Sequence, residues 1–86
     1  MPEISRFFGI VIRMYFEGHE PPHFHAFYAG SKAQLRIEPI GVLRGDLPPR
    51  PLALIVEWAS MHRAELLANW DRLRREEPPV RIPPLE

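Results

Sequence analysis

The chain of 86 residues contains no cysteine, carries no net charge and has no long apolar run. Without cysteine it can form no disulfide, thiolate metal cluster or cysteine nucleophile, so any metal site must use His, Asp, Glu or carbonyl ligands. Its 11 basic and 11 acidic residues cancel, which argues against nucleic-acid or lipid binding by bulk charge. No apolar stretch approaches the ~20 residues of a membrane span, and the segment MPEISRFF does not resemble a signal peptide. We therefore expect a cytoplasmic protein with no membrane partner.

Hydrophobic residues make up 45% of the chain and charged residues 26%, which is typical of a globular protein and not of a disordered one. A chain of this length has room for one hydrophobic core. We therefore expect a single domain over residues 1–86. Because cysteine is absent, the four histidines become the first candidates for metal binding or acid–base chemistry.

Alternating apolar side chains predict three strands, over about residues 7–16, 23–28 and 32–38. In the first of these, the alternation places on one face Phe8, Ile10, Ile12, Met14 and Phe16. Ala29, Gly30 and Ser31 form a tight turn between the second and third strands. Residues 40–43 can form either a short fourth strand or an extended link. The pattern predicts an antiparallel meander of three to four strands.

Residues 49–75 are predicted to form one long helix, because their apolar residues recur at spacings of three and four. Pro49 suits the first helical turn, and Pro78 and Pro79 end the helix. Residues 76–86 should form an extended tail, either packed along the body or available to a partner. The predicted fold is thus α+β, with the order β-β-β-(β)-α and the helix packed on one face of the sheet.

Three histidines form the pattern H-x3-H-x-H across a turn and into the second strand. His23 and His25 point to the same side of that strand, and His19 approaches from the turn. Such a set could bind a divalent transition metal such as zinc and leave a position for a reactive water. The same histidines could instead cap the turn or bond to the backbone near Pro21 and Pro22.

A metal-free site is a further alternative on the same outer face of the sheet. Arg13, Tyr15 and Arg36 are predicted to join His23 and His25 there, and together they are the catalytic candidates. Arginine and histidine suit phosphate binding and acid–base cleavage of RNA, and Tyr and His can stack on unpaired bases. The structural alternative is a solvated or dimerising sheet face.

A polar stripe also runs along the predicted helix, where Trp58, His62, Glu65 and Asn69 follow spacings of four, three and four. His62 and Glu65 could exchange a proton or coordinate a ligand, and Asn69 could orient one. The interpretation that we favour is structural: these side chains pair with nearby backbone, and the tryptophan anchors the core.

The stretches EISRFFGIVIRMYF, EPPHFHAFY and LPPRPLALIVEWASMHRAELLANW, with the closing IPPL, resemble the bacterial family known as domain of unknown function 4160. The residues that match its pattern are His23, Phe24, His25, Trp58, His62, Glu65, Asn69 and Trp70. Phe27 departs from it, since a polar residue is more usual there. The family has no established activity. Its members are small bacterial proteins often encoded beside another small protein, as in a toxin–antitoxin pair, and the resemblance therefore implies a protein partner.

Two hypotheses of different classes follow. The first is a small interaction module that binds another small protein encoded nearby, or a second copy of itself, through the outer sheet face, a sheet edge or the tail. The second is an enzyme: a metal-dependent or His/Arg ribonuclease or hydrolase centred on His19, His23 and His25. The sequence favours the first, because association requires fewer assumptions than catalysis.

Overall fold

A computed structural model describes residues 3–16, 18 and 20–86. These residues form a five-stranded antiparallel meander followed by two helices: β1 (Glu3–Phe7), β2 (Ile10–Arg13), β3 (His23–Tyr28), β4 (Ser31–Arg36), β5 (Gly41–Gly45), α1 (Pro49–Met61) and α2 (Arg63–Arg74). The strands lie in sequence order, and each pairs with its neighbours in the chain. The predicted α+β class is confirmed, whereas the predicted three to four strands and single helix are wrong.

The segment predicted as the first strand is a hairpin. Phe8 and Gly9 both have positive φ, 50° and 78°, and reverse the chain between β1 and β2. Ile10, Ile12 and Met14 are buried as the alternation predicted, but Phe8 sits at the turn and is 60% exposed. The alternation predicts the correct face for the residues after the turn. Because the turn lies within a run of apolar residues, the alternation gives no sign of it.

The second hairpin joins β3 and β4 through Ala29 and Gly30, which have φ of 46° and 85°. Two consecutive residues with positive φ match the right-handed twist of the flanking strands. Beyond β4, residues 41–45 pair with it as β5. The sequence leaves open whether residues 40–43 form a fourth strand. The structure shows this strand, and because the predicted first strand is divided in two, it is the fifth.

The predicted long helix is broken at His62, which ends α1 and precedes α2 with φ of −123° and ψ of 28°. On an unbroken helix Trp58 and Trp70 would point about 120° apart, at 3.6 residues per turn. With the break, both indole rings are buried. Neither helix in the described part of the chain is long and apolar enough to cross a membrane.

The helices cover one face of the sheet, and the main core lies between them. Trp58 is at its centre, with its ring 5.3 Å from that of Phe7 and 6.0 Å from that of Phe24. The tail, residues 77–86, is packed: Ile82 and Leu85 are buried in the same core. The amide of Ile82 also donates a hydrogen bond to the carbonyl of Ile4 in β1 at 2.8 Å.

Candidate functional site

The face of the sheet turned away from the helices, here called the outer face, carries a row of polar side chains across four strands. Strand register places Arg13 opposite His25, His25 opposite Gln34, and Gln34 opposite Arg44. Because neighbouring strands lie about 4.8 Å apart, the two arginines at the ends of this row are separated by roughly 14 Å of sheet. A shorter parallel row pairs Phe27 with Lys32.

These rows line a concave pocket of about 650 Å³, here called the outer groove. The residues that give it its chemistry are Arg13, Tyr15, His25, Phe27, Lys32 and Arg44. Its volume lies within the range of roughly 300–1,000 Å³ that is common for ligand pockets. Three cations surround an aromatic floor, and no carboxylate is among the described residues that line the groove.

The three cations of the outer groove form no ion pair with any carboxylate that the structure describes. The guanidinium of Arg13 lies 5.1 Å from the ring centre of Phe27. Its Nε is buried and makes no hydrogen bond within the described residues. By contrast, Arg6, Arg74 and Arg75 are each paired with acids on other surfaces. Within the described part of the chain, the groove therefore has an excess of positive charge, although the whole chain is neutral.

His25 is half-buried in the groove wall, and its ring centre lies 4.7 Å from that of Tyr15. The structure thus brings together three of the five catalytic candidates, Arg13, Tyr15 and His25. Arg36 does not line the groove, because its Nε donates to the carbonyl of Pro39 at 3.0 Å. An imidazole beside a phenol and a guanidinium can bind an anion or transfer a proton.

His23 has a different environment from His25, although their ring centres are 5.4 Å apart. Its side chain is buried, with the ring of Trp70 5.0 Å away. Its Nδ1 donates a hydrogen bond to the carbonyl of Pro21 at 3.0 Å. His23 therefore joins the start of β3 to α2 and does not line the outer groove.

The predicted metal site includes His19, which lies outside the described residues. Among the residues that are described, no group of three or more His, Asp or Glu side chains could hold a metal ion. The hypothesis of a three-histidine metal site stays a prediction.

Two members of the polar stripe, Trp58 and Asn69, are buried and contact the tail, whereas Glu65 is exposed. The indole of Trp58 donates to the carbonyl of Pro83 at 2.9 Å, and the amide of Asn69 contacts Val80. His62 Nδ1 and Glu65 Oε1 share a hydrogen bond beside the helix break. Of these four side chains, the structure brings none to the outer groove.

Sequence reasoning missed two cations of the groove, Lys32 and Arg44. Lys32 shares the strand parity of Gln34 and Arg36, so the alternation in β4 could have placed it on the outer face. Arg44 could not be placed, because its face depends on the bounds and register of β5.

The fold and its outer face define a small α+β protein with a cationic, aromatic groove on an exposed antiparallel sheet. The chain belongs to the family described as a domain of unknown function (DUF4160), whose model matches residues 9–71. The family resemblance seen in the sequence is thereby confirmed. The whole of β1 and the whole tail fall outside the matched residues. No curated protein and no solved structure matches the chain.

Proposed function

We propose that this protein is an interaction module, one component of a toxin–antitoxin-like pair, and that its outer groove binds an acidic segment of the partner protein. The observation that supports the proposal is a set of three cations, Arg13, Lys32 and Arg44, around an aromatic floor, none of which pairs with a carboxylate among the described residues. Arginine binds carboxylates in a bidentate manner, and the nearby rings supply apolar contact area. Arginine and aromatic residues are also those that dominate the energy of protein interfaces.

The neutral net charge favours a protein partner over a nucleic acid. Proteins that bind nucleic acid through its backbone usually neutralise many phosphates, and the outer groove offers three cations. A short acidic segment needs only a few carboxylates to compensate these charges. Because the cations are spread over roughly 14 Å of sheet, an extended segment fits them better than a single compact anion.

The direct test is co-expression with the protein encoded beside it, followed by size-exclusion chromatography. Wild type is expected to co-elute with the partner, and the Arg13→Glu/Arg44→Glu variant is expected to bind at least ten times more weakly, or about 1.4 kcal/mol. The matched control is the double variant Arg50→Glu/Arg63→Glu, because it changes the net charge by the same amount at exposed positions outside the groove. A folded wild type that elutes alone at every concentration contradicts the proposal.

A second candidate function is metal-free cleavage of RNA, favoured by the position of His25 opposite Arg13 and in contact with Tyr15. In that case the guanidinium binds a phosphate, the rings stack on bases and the imidazole transfers the proton. The test is cleavage of single-stranded RNA by wild type and by His25→Gln, with and without a chelator. Equal rates for the two proteins dismiss the metal-free nuclease, and a loss of activity with chelator indicates its metal-dependent form instead.

A further inference from the structure

On the helical side of the molecule, hydrogen bonds from α1, α2 and β1 hold the backbone of the tail at residues 80, 82 and 83. Asn69 is central to this contact: its Nδ2 donates to the carbonyl of Val80 and its Oδ1 accepts from the amide of Val80, both at 2.8 Å. The indole of Trp58 donates to the carbonyl of Pro83, and the carbonyl of Ile4 accepts from Ile82. These four hydrogen bonds contact only main-chain atoms of the tail. We call this surface the tail site.

The side-chain amide of Asn69 is held in its orientation by a residue of α2 as well as by the tail. It is buried, and Arg72 Nη1 donates to its Oδ1 at 2.8 Å, which fixes the orientation of the amide. A side-chain amide that pairs with both the N–H and the C=O of one extended residue replaces a rung of a β-ladder. Extended peptides are commonly held by such main-chain bonds, while pockets for alternate side chains provide specificity.

Specificity at the tail site comes from two apolar anchors three residues apart. Ile82 and Leu85 are buried, whereas Val80 is 54% exposed. Pro83 and Pro84 lie between the anchors and fix their own φ, so the segment loses little conformational freedom on docking. The tail therefore has the properties of a ligand: preorganised, extended and bound through an I-x-x-L pattern.

The connection between α2 and the tail is strained and makes little contribution to docking. Glu76 has φ of 62°, in the left-handed region that favours glycine. The residues on either side of it, 74–78, are exposed. A tail supplied by another molecule can make the same contacts at the tail site without this backbone conformation.

We propose that the tail site is a recognition site for extended I-x-x-L peptides, and that two copies of this chain exchange residues 80–85 to form a dimer. This dimer uses a surface distinct from the outer groove. Because a short connection joins it to the tail site, the chain's own tail competes with the tail of a second copy at an effective concentration of about 1 mM. Exchange should thus become measurable in concentrated solutions, or when the tail of one copy is weakened.

The first test uses a fluorescein-labelled peptide with the sequence of residues 78–86 and the full chain. Ile82→Ser/Leu85→Ser weakens the protein's own tail and leaves the site intact, so this variant is expected to bind the peptide at least ten times more tightly than wild type. The control peptide carries the same two serines and should not bind. If the folded variant, checked by circular dichroism, binds neither peptide or binds both equally, the proposal is overturned.

The second test mixes two full-length variants and measures mass by native mass spectrometry. One is the weakened-tail variant, and the other is Trp58→Phe, which removes the indole donor to Pro83 and keeps an aromatic ring in the core. We expect heterodimers, in which the intact tail of one copy occupies the intact site of the other, to exceed either homodimer at least threefold. Glu76→Gly, which relieves the strain in the closed form, should lower the dimer fraction of otherwise wild-type protein. The effective concentration of the tail sets the relevant scale at about 1 mM. Mixtures that stay monomeric up to this concentration contradict the proposed exchange.

Discussion

Gly45 lines the outer groove at a position where a side chain has no room. A Cβ at this residue would overlap the carbonyl oxygen of Lys32, and the φ of 81° disfavours any L-residue. We predict that Gly45→Ala lowers the free energy of unfolding by about 2–4 kcal/mol, through backbone strain and overpacking together.

Gly30→Ala is the control for Gly45→Ala, since Gly30 has a similar φ of 85° but no atom within 4 Å of the added Cβ. Gly30→Ala should lower the free energy of unfolding by about 1 kcal/mol, from backbone strain alone. Urea denaturation measures both variants. Equal losses would mean that the overlap at Gly45 is relieved by movement of β4, and that the groove wall is not rigid.

At the scale of single residues, strand parity predicted much of the outer face. Arg13 in β2 and His25 in β3 line the groove because side chains alternate along a strand, and Tyr15, two residues beyond the end of β2, lies on the same side. Burial of His23 could not be predicted in this way, since it depends on the contact with Trp70 from a helix 47 residues away in sequence. Alternation gives the face of a residue and not what covers it.

At the scale of elements, the two largest differences from prediction have different causes, one local and one from packing. The turn at Phe8 and Gly9 lies inside a run of apolar residues, and Phe8 is an unusual residue at positive φ. Gly9 was the available signal for a turn. The helix break at His62 has no such signal, because neither proline nor glycine occurs near it. It is needed for the burial of both tryptophans, which is a property of the packed structure.

The contact between β1 and the tail contains a carboxylate that is sensitive to acid. The pKa of Glu3 is lowered from 4.5 to about 2, first by hydrogen bonds from Arg6 and then by the charges of Arg6 and Arg81, which outweigh the opposing effect of burial. A depressed carboxyl pKa contributes stability that is present above pH 4.5 and is lost as pH falls toward 2.

We therefore predict that the melting temperature of wild type falls more steeply than that of Glu3→Gln between pH 4.5 and 2, and in parallel with it above pH 5. Glu57→Gln, an exposed helix position, serves as the control and should follow wild type throughout. Differential scanning calorimetry across this pH range makes the measurement. Identical slopes for wild type and Glu3→Gln would show that Glu3 does not stabilise the fold.

At the scale of the whole molecule, zero net charge coexists with a cationic outer groove. Binding of an acidic partner there should depend strongly on salt, because the Debye length falls from about 10 Å at 0.1 M to 3 Å at 1 M ionic strength. We predict that the affinity of wild type for its partner drops about tenfold or more over this range. Isothermal titration calorimetry at several salt concentrations measures it, and affinity independent of salt would contradict the electrostatic basis of the proposed function.

The strand order of the sheet has a consequence for how the molecule folds. Every strand pair joins neighbours in sequence, and such local topologies fold quickly. The contact between Ile4 and Ile82 is different, since it spans almost the entire chain. Its formation should follow the rate-limiting step.

Asn69→Ala, which removes hydrogen bonds to the tail, is therefore predicted to accelerate unfolding by roughly tenfold or more and to leave the refolding rate within about twofold of wild type. Stopped-flow measurements in urea separate the two rates, and slower refolding would place the tail in the folding nucleus. If the expected pattern holds, the contacts that hold the tail set the lifetime of the native state and have little influence on how fast that state is reached.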